Sequence, residues 1–385
     1  MQSSRPALLI VTMGLDYVAP SRMPRELNAA GFSVALLAPK NALATQTRFV
    51  DKMGYFPDKP TLYEWIKTLA GAVRSVRPTL LLPGDDTTLL LLMQLVLDPP
   101  PVLRGELQEE LATLITRSLG DPAHYLTSVD KTLLFVWARE HGVQVPPGDP
   151  VDDEVGAIAV AETVGYPVIV RPALGTAGVG IAVCDNVDAL RAGIRNVPPR
   201  TGWAPSGGGK RALVQRLLSG QKANHAAVAW HGREVAGFTR EQLQSVSPPL
   251  GAGSVSRYVG NPRIAAINSR LLTGLGVTGF VGVDYRIEAT TGEAHVIEIN
   301  RRMVPATHTG RRAGVDLAAA FASAFAGNEW RGPTDVPPAS ERTLALFPQE
   351  WLRDPTSRNL EDLPTDAPWD DPRLFAAMLR VAHED

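Results

Sequence analysis

The chain has 385 residues, 44% of them hydrophobic and 20% charged, with a formal net charge of -2. This length predicts two or three packed units rather than one core, and the near-neutral balance excludes a general pull toward nucleic acid or anionic lipid. The single cysteine, Cys184, excludes an intramolecular disulfide and a thiolate-rich zinc site; the apolar runs near the start and at 89–97 are too short for a signal peptide or a membrane span, so a cytoplasmic location is expected.

Strands at 7–11, 32–37 and 79–82 alternate with helices at 21–30, 62–76 and 87–97. That rhythm predicts an α/β N-terminal domain with a parallel sheet. The segment after the first strand, Thr12-Met13-Gly14-Leu15-Asp16, lacks the glycine spacing of a dinucleotide site. Asp98-Pro99-Pro100-Pro101 closes the unit, and a helix at 105–119 leads to another at 129–141, expected to be capped by Ser128. A helix at 154–164, a strand at 167–171, a glycine loop and a strand at 181–184 follow. Past Gly207-Gly208-Gly209, strands at 211–217, 226–231 and 234–239 suggest an antiparallel sheet. A helix, a hairpin and a helix at 317–325 come next, before a proline- and acid-rich tail with a strand at 343–347 and a helix at 372–382.

The hairpin carries the strongest chemical signal. Val281-Gly282-Val283-Asp284-Tyr285-Arg286-Ile287-Glu288 and Ala294-His295-Val296-Ile297-Glu298-Ile299-Asn300 flank Thr290-Thr291-Gly292, which suits a three-residue turn with glycine at the positive-φ position. Pairing Ala289 with Glu293 places Asp284 opposite Glu298 and Gly282 opposite Asn300. Alternation then puts Val283, Tyr285, Ile287, Ile297 and Ile299 on one face and Asp284, Glu298 and Asn300 on the other. Two carboxylates facing across a ladder, with Cβ atoms about 5 Å apart, repel. A hard divalent cation such as Mg²⁺ relieves that repulsion and keeps positions open for phosphate; the plain alternative is the polar face of a half-buried sheet.

Arg171 ends a strand and opens Ala173-Leu174-Gly175-Thr176-Ala177-Gly178-Val179-Gly180, whose backbone N–H groups can cradle an anion or simply form a mobile turn. Lys131 stands in the first turn of a helix, where a positive charge opposes the dipole unless a phosphate is bound nearby.

In this order the pieces resemble the ATP-grasp superfamily over roughly 119–327, and Glu298-Ile299-Asn300-Arg301-Arg302 with Gly314-Val315-Asp316-Leu317 is similar to the carbamoyl-phosphate-synthetase and biotin-carboxylase branch. The resemblance implies an α+β ATP-grasp fold of two subdomains with antiparallel sheets. Its expected units are an N-terminal domain 1–118, a small subdomain 119–210 with the flap, a C-terminal subdomain 211–330 with the metal hairpin, and an extension 331–385. It implies ATP with Mg²⁺, or Mn²⁺ in its place: Asp284, Glu298 and Asn300 as metal ligands, Arg302 against the transferring phosphoryl group, and Lys131 and Arg171 as basic nucleotide contacts. Gly175, Thr176, Ala177, Gly178 and Gly180 would form the phosphate flap, and Gln215, Arg216, Leu217 and Leu218 the adenine hinge. The family's hinge usually begins with glutamate, where Gln215 stands here, and its ribose-binding acid has no counterpart in 220–224.

The same resemblance implies a carboxylate phosphorylated to an acyl phosphate and captured by an amine, less often a thiol. Residues 251–257 resemble a substrate loop in which Arg257 would clamp a carboxylate, and His308 and Thr309 follow the metal strand toward an acceptor pocket. A phosphotransferase, a carboxylase and a non-catalytic ATP-binding module share these residues and stay open. Small-molecule substrates are expected, without nucleic acid or membrane partners, and a homodimer is allowed.

Overall fold

The computed structural model describes residues 5–101, 103, 105–175, 179–198, 209–247 and 251–384. Thr176, Ala177 and Gly178 of the expected flap, and Gly207 and Gly208 of the expected linker, lie outside the described residues.

Strands β1 (Ala7–Val11), β2 (Ser33–Pro39), β3 (Lys52–Phe56) and β4 (Leu80–Pro83) form a parallel sheet in the order β3-β2-β1-β4. Leu9, Val11 and Leu81 meet helices Leu62–Val76, Asp86–Leu97 and Glu106–Leu119 on one face, and Leu8, Ile10, Val34 and Leu36 meet helix Val18–Ala29 on the other. Helix Leu62–Val76 starts at a capping box in which Thr61 and Glu64 satisfy each other's backbone N–H groups. The first helix begins at Val18, earlier than expected. Pro20 falls in its first turn, where the missing N–H would be unpaired anyway, so the proline does not delay the start. Strand β3 was not anticipated from the sequence.

Strands β5 (Gly148–Val151), β6 (Val168–Pro172), β7 (Ala182–Cys184) and β8 (Ala212–Arg216) make a small antiparallel sheet, order β5-β8-β6-β7, covered by helices Glu154–Val164 and Val187–Arg195. Strands β9 (Gly220–Trp230), β10 (Arg233–Ser245), β11 (Gly253–Val259), β12 (Gly279–Glu288), β13 (Ala294–Asn300) and β14 (Arg342–Ala345) make a large antiparallel sheet, order β13-β12-β9-β10-β11-β14. Two expected boundaries move. β8 belongs to the small sheet, so the division at 210/211 falls one strand early, and β14, assigned to the extension, is the edge strand of the large sheet.

One face of the large sheet, with Val228, Phe238, Tyr258 and Phe280, shares a core with the N-terminal sheet and helix Leu317–Phe325. The reverse face, with Ala223, Val283 and Tyr285, packs on helices Lys131–Glu140 and Pro262–Gly274. The N-terminal unit and the β12–β13 hairpin are therefore parts of one packed body. Among the described residues no helix is long and apolar enough to cross a membrane.

Candidate active site

The expected helix at 129–141 is two helices, Tyr125–Val129 and Lys131–Glu140, and Asp130 rather than Ser128 caps the second. The Asp130 carboxylate accepts from the Thr132 and Leu133 N–H groups, which makes Lys131 the first helical residue. The Lys131 N–H donates to the Ala173 carbonyl at 2.8 Å, tying the helix start to the loop after β6. That tie brings two cations together. The Lys131 ammonium lies 3.4 Å from Glu298 Oε2 and donates to the Gly175 carbonyl at 3.0 Å; the Arg171 guanidinium reaches the same Oε2 at 2.9 Å and the Ile297 carbonyl at 2.7 Å.

Asp284 does stand opposite Glu298, and Gly282 opposite Asn300, but the route differs from the expected one. The turn closes one residue earlier: the Glu288 N–H donates to the Glu293 carbonyl, and Gly292 (φ 69°) bonds back to the Glu288 carbonyl. Below the carboxylates, Tyr285 pairs with Val296, Arg286 with His295 and Ile287 with Ala294. Ile297 is the extra residue of a β-bulge that restores the register at Glu298. Val296, not Ile297, therefore shares the buried face with Val283, Tyr285 and Ile299. The bulge also swings His295 onto the carboxylate face beside Arg286. Neither nitrogen of its buried ring has a hydrogen-bond partner among the described residues.

The cleft face continues across the sheet as Asp284, Asn224, Arg240 and Tyr258, one row of partners. Asn224 Nδ2 donates to Asp284 Oδ1 at 2.7 Å, and Asn300 Nδ2 to Asp284 Oδ2 at 3.1 Å. At Gly282 a Cβ would come within 2.4 Å of Val304, so glycine is needed for the chain after β13 to pack there. Burial and the Glu298 charge push the Asp284 carboxyl up to about 6. Burial would raise Glu298 as well, but Lys131 and Arg171 outweigh it and hold that carboxyl down at about 2. Without a cation the two carboxylates thus cannot comfortably both be charged, and two facing carboxylates beside an amide oxygen suit a hard divalent ion that keeps phosphate among its ligands.

Arg302 borders the same cleft, fixed from the N-terminal unit. Asp86 accepts from its Nε at 2.8 Å and its Nη2 at 2.6 Å, Asn300 Oδ1 lies 3.3 Å from Nη2, and the guanidinium sits 4.9 Å from the Tyr17 ring centroid. Asp85, just before it, caps helix Asp86–Leu97 and accepts from the Thr12 hydroxyl and the Met13 and Gly14 N–H groups. Neither the Asp86 clamp nor Tyr17 was found from sequence; Pro83-Gly84-Asp85-Asp86 at a strand end was the available signal. Asp86, Ser128, Lys131, Glu298, Asn300 and Arg302 line a cavity of about 80 Å³.

The neighbouring Arg301 is buried against the Tyr125 ring and donates to Ser128 Oγ, which locks the segment leading into Lys131. Gln215, Arg216 and Leu217 stay in the small sheet: Gln215 is buried and donates to the Pro146 carbonyl, while the Arg216 and Leu217 N–H groups go to the Pro147 and Pro167 carbonyls. Leu218 is where the chain leaves that sheet for β9, and Gly180 (φ 74°), the last residue of the expected flap, stands just before β7.

Arg257 is not part of the cleft. The expected substrate loop is strand β11, where Arg257 pairs with Glu241 in the row of Ala223 and Tyr285, on the reverse face from Asp284. Its guanidinium is taken up by Glu241 at 2.5 and 3.1 Å. Thr309 is buried and bonds Tyr258 and the Ala306 carbonyl. His308 Nε2 meets Asp366 at 2.8 Å.

The family model described as "Carbamoyl-phosphate synthase L chain, ATP binding domain" matches residues 130–229. The carbamoyl phosphate synthase large chain of Rubrobacter xylanophilus is 26% identical over 251 residues, covering 62% of this chain and 22% of that protein, so the chain spans about a fifth of the relative's length. Among solved structures, the biotin carboxylase domain of Hydrogenobacter thermophilus 2-oxoglutarate carboxylase is similar with a TM-score of 0.64 at 18% identity, over 86% of this chain and 72% of that one. Campylobacter jejuni biotin carboxylase gives 0.64 at 15%, over 88% and 74%. An L-amino acid ligase from Bacillus licheniformis gives 0.63 at 12%, over 89% and 79%. With the parallel N-terminal sheet, the two antiparallel sheets and the carboxylate hairpin in place, the chain has the ATP-grasp fold, and its residues 130–229 match the ATP-binding domain of the carbamoyl-phosphate synthases.

Proposed function

We propose that the chain is an ATP-dependent ligase that phosphorylates a carboxylate and passes the resulting acyl phosphate to an amine, or to a thiol. The observation that carries this reading is the facing pair Asp284 and Glu298, with Lys131 and Arg171 converging on one oxygen of Glu298. Two carboxylates and two cations in one cleft suit a polyphosphate: the cations take phosphate oxygens, and the carboxylates take the counter-ion. A Mg²⁺ ion held by Asp284, Glu298 and Asn300, with Mn²⁺ able to replace it, would supply Lewis-acid neutralisation of phosphate charge.

The chain's own residues do the rest. Lys131 and Arg171 bind and orient the nucleotide's phosphates. Gln215 to Leu218 form the edge where the base lies. Arg302, held by Asp86 and, through Nη1, by the Met303 carbonyl, adds its positive charge beside the transferred group. A substrate carboxylate oxygen bonds to the γ-phosphorus as the bond to the β-bridging oxygen breaks and ADP leaves. The amine then attacks the acyl carbon, loses a proton, and phosphate departs with the C–O electrons. No protein nucleophile is needed.

A carboxylase on this fold is the second reading, favoured by the similarity to biotin carboxylases. It would share every ATP residue and differ only in product. We assign the protein to the cytoplasm, acting on small molecules without nucleic acid or membrane. A homodimer is compatible with this reading, since the Hydrogenobacter thermophilus domain is described as a dimer. The deciding experiment is phosphate release from Mg·ATP across a panel of carboxylic acids, each with and without amino acids, with product masses. An amide product supports the ligase and a carboxylated product the second reading. Tight ATP binding without turnover on any pair would overturn both.

A further inference from the structure

A second cavity, of about 260 Å³, lies between helix Val18–Ala29, the 3-10 segment Thr307–Ala313 and the start of the C-terminal helix Pro372–Glu384. Arg22, Arg25, Arg311, Arg312 and His308 line it. Two of these cations are already matched. Arg25 pairs with Glu26 and Asp370, and Arg311 with Glu26 and Asp316, each at 3.3 Å. Asp371 is spent on the Thr47 hydroxyl and the Arg48 N–H.

Three groups are left over. The Arg22 side chain is 9% exposed; its Nη2 donates to the Asp366 carbonyl, and its Nη1 is buried with no hydrogen-bond partner. Its neighbour Asp366, 4.0 Å away, is already engaged by His308 Nε2 and the Phe347 N–H. His308 is buried, and because its Nε2–H goes to Asp366, its unpartnered Nδ1 carries a lone pair and acts as an acceptor. Burial, and then the Arg22 charge, hold the imidazole below its ordinary range, which keeps it neutral. Arg312 is exposed at the cavity and makes no ion pair or hydrogen bond with any described residue.

A simple anion would satisfy the two arginines and leave Nδ1 empty. A ligand carrying both a carboxylate and an ammonium satisfies all three groups. We propose that this cavity binds an α-amino acid, its carboxylate on Arg22 and Arg312 and its ammonium on His308 Nδ1. Phe49 and Leu374 on the same wall would receive an apolar side chain. Tyr17, which touches Asp86 and Arg302, precedes Ser21 of the cavity wall by one helical turn, about 6 Å. The bound amino acid would therefore sit beside the phosphate cleft. The site stands on its own geometry, whether or not the chain is a ligase.

The test is calorimetric titration of the whole chain, without nucleotide, with four probes: L-leucine, 4-methylpentanoate, isopentylamine and inorganic phosphate. L-Leucine should bind saturably, and each probe lacking one charge, like phosphate, should bind at least about tenfold more weakly. Arg312→Gln, at an exposed and unpaired position, should weaken leucine about tenfold with the thermal unfolding midpoint unchanged, and Arg22→Lys should retain part of what Arg22→Gln loses. Equal binding of 4-methylpentanoate or phosphate would reduce the cavity to an anion site and overturn the proposal. So would no saturable leucine binding, or leucine binding indifferent to Arg312→Gln. Because no ATP is present, failure of the ligase reading leaves this result untouched.

Discussion

Two strand pairs of the large sheet each carry a charged pair across the ladder, and they are opposites. In β10–β11, Glu241 faces Arg257, and the two close on each other at 2.5 Å on the reverse face. In β12–β13, Asp284 faces Glu298 on the cleft face. These like charges are relieved by Lys131 and Arg171, brought to Glu298 from elsewhere in the chain, and to a smaller extent by Asn224 and Arg240 at Asp284. The first arrangement is complete in itself. The second is repulsive within the hairpin and becomes favourable only with added positive charge. From sequence both pairs are charged residues on strands; the electrostatic deficit is what sets the second apart from the first.

The comparison breaks most sharply at Glu298. Glu298→Ala removes one carboxylate of the proposed metal site and leaves Lys131 and Arg171 without their shared partner. Turnover of Mg·ATP should fall about a thousandfold or more, read by phosphate release, while the far-ultraviolet spectrum stays unchanged. Next is Asp86→Ala, which leaves the buried Arg302 guanidinium without its carboxylate. Removing one partner of such a pair should cost about 3–5 kcal/mol in a urea titration. Asp284→Asn should act the other way on the metal-free protein. Removing one of two facing like charges should add up to about 1 kcal/mol to stability, while Mg²⁺-dependent ATP binding weakens. The smallest effect is expected at Arg257→Ala. An exposed, self-contained ion pair contributes about 0–1 kcal/mol, and turnover should stay at the parent level.

The parts legible in sequence were those set by local pattern. β1, β2 and β4 came from apolar runs, and the opposition of Asp284 to Glu298 came from the turn and the alternation rule. That opposition was reached through compensating errors. The turn holds four residues, Ala289 to Gly292, instead of the three that Thr290-Thr291-Gly292 suggested, and a bulge at Ile297, which no residue type announces, returns the register. The same bulge hid His295, which strict alternation assigns to the core. Arg257 was misplaced because β11 has no strong period, so the segment read as a loop. Asp130 lost the cap to Ser128 in the reading because both are good caps, and only the Ala173 carbonyl contact fixes where the helix starts. Contacts between distant segments, such as Asp86 with Arg302 at a separation of 216 residues, leave no local trace at all.

The central claim is that the facing carboxylates hold the nucleotide's metal. Electron paramagnetic resonance of Mn²⁺ with ATP, titrated with the parent chain, Glu298→Ala and Asp284→Asn, tests it directly. The account predicts that the parent removes the free Mn²⁺·ATP signal, Asp284→Asn does so only weakly, and Glu298→Ala fails to. Equal sequestration by all three chains, each shown to be folded, would contradict it.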